Sequence, residues 1–214
     1  MRPTSRLISP AMAGRALLVD FGGVLTTNIW QGFDEFCRNE GIEQGTMREM
    51  FKTQPDAVAD LRLMETGEIS PEDFERRFGD RLGIASTEGL ITRMFAAIRP
   101  EEHVAGAVRA AHDAGVRTGL ISNSWGRTIY DPALMEELFD VVVISGDVGL
   151  HKPQPEIYHL AAERLGVELG ACVFVDDLRE NVEGAERVGM TGVLHRDPVQ
   201  TVERLEELLE IPLR

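Results

Sequence analysis

Short apolar runs that end on a turn or a polar residue recur along the chain. Arg15-Ala-Leu-Leu-Val-Asp20 stops at Gly22-Gly23, and Val116–Ser122, Val141–Ser145, Cys172–Asp176 and Gly192–His195 follow the same plan. Runs this short and this continuous fit strands buried on both faces. Between most of them the apolar spacing becomes helical. His103–Ala114 puts Val104, Val108 and Ala111 on one face, Glu156–Leu165 does so with Ile157, Leu160, Ala161 and Leu165, and Asn181–Val188 is a shorter case. Asp197-Pro198 opens a closing helix with a stripe of Val202, Leu205 and Leu209. Strand alternating with helix predicts an α/β fold: a Rossmann-like parallel five-stranded sheet with helices on both faces.

The long stretch between the first strand and the second breaks that rhythm and reads as helix. Trp30, Phe33, Phe36 and Cys37 form one stripe ending at Gly41, and Val58, Leu61 and Met64 form another ending at Gly67. Ser70-Pro71-Glu72-Asp73 combines an N-cap, a first-turn proline and acidic residues ahead of Phe74, Phe78 and Leu82. Ser86 is the expected cap of a last helix carrying Leu90, Met94 and Phe95. These four helices predict an inserted α-helical bundle over 28–100, with the α/β core formed by 14–27 and 101–214. Residues 1–13, with Pro3 and Pro10, read as an N-terminal extension.

Charge narrows the partners. The 36 Asp and Glu against 22 Lys and Arg give a formal charge of −14, which repels nucleic-acid phosphates and anionic membranes alike. No apolar run reaches the ~20 residues of a membrane span, and the first residues lack the apolar stretch of a signal peptide. Cys37 and Cys172 sit in apolar-periodic segments with no metal-ligand spacing, which predicts buried thiols and a cytoplasmic setting. A soluble monomer or homodimer is the expectation.

The strand ends carry the chemistry. In an open parallel sheet, ligands sit at the carboxyl ends of the strands, and here those ends are Asp20, Ser122-Asn123 and Asp176-Asp177. Two readings of the adjacent acids stand: a cap on the following helix, or a cation site, since neighbouring carboxylates repel unless a cation or proton relieves them. Acids without His or Cys favour Mg²⁺. Lysine occurs only at Lys52, in a helical stretch, and at Lys152, between His151 and Pro153. A chain that otherwise uses arginine throughout places a compact ammonium there, suited to act on a single oxygen.

Asp20-Phe-Gly-Gly-Val-Leu-Thr26, Leu120-Ile-Ser-Asn-Ser-Trp125, Val148-Gly-Leu-His-Lys-Pro-Gln-Pro-Glu-Ile-Tyr158 and Val173-Phe-Val-Asp-Asp-Leu-Arg-Glu-Asn-Val182 resemble, in order, the four motifs of the haloacid dehalogenase superfamily. Within it the chain is most similar to the branch with a helical cap after the first motif, that of the phosphatase-like domain of soluble epoxide hydrolases. The resemblance implies that Asp20 is a nucleophile forming an aspartyl-phosphate. It implies Mg²⁺ held by Asp20, the Gly22 carbonyl and Asp177, with Asp176 beside it. Ser122 and the Asn123 amide would bind the phosphoryl oxygens of a small phosphorylated substrate, Lys152 would neutralise Asp20 and phosphate, and Asn181 would brace the fourth loop. The cap of that branch closes over the site, so that Trp30, Phe33, Met64 or their neighbours would line the pocket; periodicity leaves open which of them face it and which face the bundle core.

One position departs from the pattern. Phosphatases of the superfamily carry a second Asp two residues after the nucleophile as general acid and base, and here that position is Gly22. Such help is worth about 10²–10⁴-fold in rate, so alkyl phosphates are expected to react slowly unless another group substitutes; His151 and Thr26 are the nearest in sequence. The alternatives implied are a binder of phosphorylated ligands with little or no turnover, or a 2-haloacid dehalogenase, whose halide leaves without a proton.

Overall fold

The computed structural model describes residues 14–214, so the expected extension over 1–13 lies outside the described residues. Five parallel strands, β1 (Ala16–Val19), β2 (Arg117–Ser122), β3 (Val141–Ile144), β4 (Cys172–Asp176) and β5 (Thr191–Leu194), form one sheet in the order β3-β2-β1-β4-β5. The expected α/β sheet and its five strands are all present. β1 is central, with Val19 level with Leu120 on one side and Val175 on the other, so the residues that follow these strands emerge together.

Alternation along the strands divides the core into two layers. Leu17, Val19, Leu120, Val173 and Val175 pack on one face with Val104, Val108, Leu138, Val202 and Leu205, which come from α6 (Glu102–Asp113), α7 (Pro132–Leu138) and α11 (Pro198–Leu209). Ala16, Leu18, Ile121, Val143 and Phe174 pack on the other with Ile157, Tyr158, Ala161 and Ala185, from α9 (Pro155–Leu165) and α10 (Arg179–Arg187). A one-turn helix, α8 (Ser145–Val148), follows β3. The closing helix starts as its sequence signals predict: the Asp197 side chain accepts from Gln200 N, and Pro198 takes the first helical position. Cys37 and Cys172 are both buried free thiols.

Thr26 and Pro100 form an antiparallel bridge, and Thr27 N donates to Arg99 O while Glu101 N donates to Leu25 O, each at 2.8 Å. The chain therefore leaves and re-enters the α/β layer through one hydrogen-bonded crossing. Between the two lies a helical bundle with its own apolar cluster, centred on Phe33, Phe36, Phe74, Phe78, Leu90 and Met94.

That bundle holds five helices, one more than the sequence predicts: α1 (Ile29–Asn39), α2 (Thr46–Thr53), α3 (Pro55–Glu65), α4 (Pro71–Leu82) and α5 (Leu90–Phe95). The additional one, α2, starts on Gly45 with no side-chain cap and buries only Met47 and Met50, which leaves little start signal to read. Val58 is 39% exposed, so the buried stripe of α3 runs through Ala57, Asp60 and Met64 instead. Asp60 is buried there because Arg77 and Arg81 of α4 each bind one of its oxygens at 2.7 Å. Ser86 does not cap α5: Gly89 holds that position with φ +63°, and the Ser86 carbonyl accepts from Arg93. Ser70 caps α4 as expected, accepting from Asp73 N. No helix among the described residues is long and apolar enough to cross a membrane.

Phe174, fully buried at the middle of β4, meets the Tyr158 ring edge-on at 5.4 Å. Phe174→Ala is expected to destabilise the protein by about 3–5 kcal/mol, the usual effect of emptying a large aromatic site, measurable as a lowered urea midpoint.

Candidate active site

Because β1, β2 and β4 are neighbours in register, the residues after them converge at one edge of the sheet. Asp20, Ser122, Asn123, Asp177, Asn181 and Lys152 line a single cavity of 120 Å³, together with Gly22. Of the expected site residues Asp176 alone does not line it; this acid is fully buried behind the others.

Lys152 is the hub of the arrangement. Its ammonium donates to Asp20 Oδ1 at 2.6 Å, to Asp176 Oδ2 at 2.8 Å and to the Ile121 carbonyl at 2.9 Å. An ammonium has three protons to donate, and all three are taken. The segment bearing Lys152 is clamped in turn by Asn123, whose side-chain oxygen accepts from Lys152 N at 2.9 Å and whose nitrogen donates to Lys152 O at 3.1 Å. Asn181 reaches both Asp176 oxygens at 3.1 Å, and Leu178 N donates to Asp176 Oδ1 at 2.8 Å. Asp176 thus does the turn-closing work of one sequence reading while its other oxygen serves the lysine.

The electrostatics follow from burial. Burial raises the Asp20 carboxyl to about 7, with Lys152 pulling it down and Asp176 and Asp177 pushing it up. Asp177 is raised to about 6, by burial and then by Asp176. Burial alone would lower the Lys152 pKa, but the Asp176 and Asp20 charges more than offset it, so the lysine is held well above its ordinary value and is charged. One ammonium cannot balance three carboxylates. Ligand oxygens of Asp20, Asp176 and Asp177 lie within 4.8 Å of one another, an all-oxygen donor set matched to a hard divalent cation. Gly23 makes room for the Asp177 carboxylate: φ is +78°, and a Cβ there would sit 2.8 Å from Asp177 Oδ2.

Ser122 Oγ lies 2.9 Å from the Tyr130 hydroxyl. Burial lifts the Tyr130 phenol far above its ordinary value, so it stays protonated and can donate to Ser122. Tyr130 had no sequence signal beyond its hydrophobic neighbours.

The bundle closes the cavity and settles which of its candidates face it. Trp30 lines it, joined by Ile29, Glu65 and Phe95, whereas Phe33 and Met64 pack inside the bundle's own core. Phe33 turns inward because the bundle's apolar cluster closes around it, with Phe95 at 5.7 Å and Trp125 at 5.4 Å. Trp125, from the loop after β2, plugs that cluster, also lying 5.9 Å from Phe74. Arg62 of α3 donates to His151 Nε2 at 2.9 Å. Since guanidinium only donates, that nitrogen is the acceptor, and Nδ1 donates to Lys152 O at 2.8 Å. His151 is therefore occupied on both sides and does not line the cavity. Thr26 is likewise absent from the lining; its hydroxyl accepts from Gly23 N and donates to Thr27 O. Lys52 lies on α2, away from the site, and is exposed.

Lys152→Met leaves Asp20 and Asp176 facing each other without a counter-charge. Removing one member of a buried pair costs about 3–5 kcal/mol, and a urea denaturation of this variant is expected to show a loss of that order.

A model of the haloacid dehalogenase-like hydrolase family matches residues 15–189. The chain is 28% identical over 208 residues to acyl-CoA dehydrogenase family member 10 of Mus musculus, covering 93% of this chain and 19% of that protein. Against bifunctional epoxide hydrolase 2 of Sus scrofa the identity is 28% over 228 residues, covering 94% of this chain and 40% of the pig protein. The chain thus spans less than half the length of either relative. A haloacid dehalogenase family enzyme of Bacteroides thetaiotaomicron, solved with magnesium and inorganic phosphate, superposes with a TM-score of 0.62 at 20% identity over 85% of this chain and 94% of that one, a likeness of fold.

Proposed function

The chain belongs to the haloacid dehalogenase-like hydrolases, and from that premise we propose that it is a magnesium-dependent phosphatase of a small organic phosphate, working through an aspartyl-phosphate on Asp20. The observation that carries this reading is the charge balance at one cavity: three carboxylates around a single ammonium, with Asp20 Oδ1 held by Lys152. Asp20 Oδ2 accepts no side-chain hydrogen bond among the described residues, leaving an oxygen for attack on phosphorus. Splitting the transfer through a covalent intermediate replaces one hard step by two easier ones.

Asp20, Asp177 and the Gly22 carbonyl are the groups that would hold Mg²⁺, with Asp176 beside them. When bound, the ion supplies positive charge that draws the phosphate into a protein of net charge −14 and offsets charge on the transferring group. Lys152 adds its own charge at Asp20. Ser122, held in place by Tyr130, and the Asn123 amide would take phosphoryl oxygens, while Asn181 keeps Asp176, and through it Lys152, in place. Phosphoryl transfer is mostly positioning and charge stabilisation, and these parts supply both. Residues 28–100 would serve as a cap over a core of 14–27 and 101–214, excluding bulk water. The organic group would rest on Trp30, Phe95 and Ile129, an apolar wall at the cavity.

The three clustered acids also favour phosphoryl chemistry over release of halide, since a phosphate monoester dianion calls for more positive charge beside those acids than the single carboxylate of a 2-haloacid does. A panel of phosphate monoesters, assayed for inorganic phosphate with magnesium and with the ion chelated, beside halide release from 2-haloacids, tests the proposal. Phosphate release that needs magnesium is expected. Asp20→Asn should bring it to background while the protein melts as a folded chain; activity surviving in that variant would remove Asp20 as nucleophile.

A further inference from the structure

Gly22 leaves this site without the general acid that an alkyl phosphate needs, and neither His151 nor Thr26 reaches the cavity. Of the titratable groups that do line it, Asp20, Glu65, Lys152 and Asp177, three are committed: Asp20 to attack, Lys152 to its three acceptors, Asp177 to the cation. We propose, resting on the phosphatase reading above, that Glu65 of the helical bundle is the general acid and base of the reaction, taking the place left empty by Gly22.

Glu65 is the last residue of α3, and the core pins it from two sides. Ser145 Oγ donates to the Glu65 carbonyl at 2.5 Å and itself accepts from Ser124 N at 2.8 Å, so the end of α3 is tied to the loop that carries Ser122 and Asn123. Two residues on, Gly67 has φ +77° and approaches so closely that a Cβ would lie 2.9 Å from the Gly146 carbonyl. No hydrogen bond or ion pair among the described residues engages the Glu65 carboxyl. Burial raises it to about 7; Arg62 on its own helix and Lys152 across the cavity pull it down, and Glu180 of α10 pushes it up. A carboxyl of this kind holds a proton through a substantial part of the neutral range and can return to carboxylate, the condition for a group that both gives and takes.

The step balances without a co-reactant. Asp20 attacks phosphorus, the bond from phosphorus to the ester oxygen breaks, and that oxygen takes the Glu65 proton and leaves as the alcohol. Glu65, now a carboxylate, takes a proton from the water that attacks the aspartyl-phosphate. The bond from phosphorus to Asp20 breaks, inorganic phosphate departs, and Glu65 is protonated again. Because the acid belongs to the bundle and the nucleophile to the sheet, proton transfer would require the two to be closed on each other.

The test compares n-hexyl phosphate, whose alkoxide needs a proton, with 4-nitrophenyl phosphate, whose phenolate does not, in the presence of magnesium. In Glu65→Gln the alkyl-to-aryl ratio of first-turnover rates is expected to fall about 10²–10⁴-fold, and Gly22→Asp added to that variant is expected to recover part of it. In wild type, a series of esters between these two should show a shallow dependence of first-turnover rate on leaving-group pKa, a readout independent of whether any variant folds. An unchanged ratio in a Glu65→Gln protein that melts as wild type, or a steep dependence in wild type, overturns the role of Glu65 and leaves the phosphatase reading standing. Wild type that releases phosphate from neither ester overturns both.

Discussion

The ammonium of Lys152, sealed at the carboxyl edge of the sheet between Asp20 and Asp176, is the contact on which the site depends. Taking a charge of either sign out of water is expensive, and a buried pair holds only when the remaining donors and acceptors are satisfied as well. Here they are: Ile121 offers its carbonyl to the lysine, Asn181 and Leu178 N satisfy Asp176, and Asn123 grips the lysine's backbone on both sides. These groups come from the end of β2 and from the turn and helix after β4, while Asp20 follows β1, so the network also ties β1, β2, β4 and α10 to one another. Its residual charge, three acids to one base, gives the cavity its demand for a cation.

A second set of contacts decides where the bundle stands. Trp125 rises from the loop after β2 into the bundle's aromatic cluster, Arg62 reaches down to His151, and Ser145 holds the end of α3. All three core residues neighbour the cavity-lining Ser122, Asn123 and Lys152 in sequence or space: Trp125 follows Ser122-Asn-Ser, His151 precedes Lys152, and Ser145 bonds Ser124, next to Asn123. The bundle is thus registered against the same loops that build the cavity, and its Trp30, Glu65 and Phe95 complete the cavity wall.

Much of this was legible along the chain. Strand ends were marked by apolar runs ending on Asp20, Ser122 and Asp176, because a strand buried on both faces must be continuously apolar and its functional end polar. Caps at Ser70 and Asp197 were legible for a local reason: the side chain satisfies amides within its own first turn. Helix α2 and the start of α5 were not, since Gly45 and Gly89 begin them without any side-chain cap. Val58 was misassigned to the core because its neighbours share its hydrophobic character while the buried face is set by Asp60, which only its two arginine partners allow to be inside.

The sequence by itself determined the sheet, the order of its strands' polar ends, and the identity of the lysine and acids that meet there, because these follow from short-range pattern and from the scarcity of lysine. Tertiary structure alone decided what faces what. It turned Phe33 and Met64 into the bundle's core and Trp30 toward the cavity, closed both nitrogens of His151, gave Ser122 its Tyr130 partner, and brought Glu65 to the cavity wall beside Asp20. The physical reason is that burial, charge and proton affinity belong to a position among neighbours brought from distant parts of the chain, and spacing along a sequence carries no record of them.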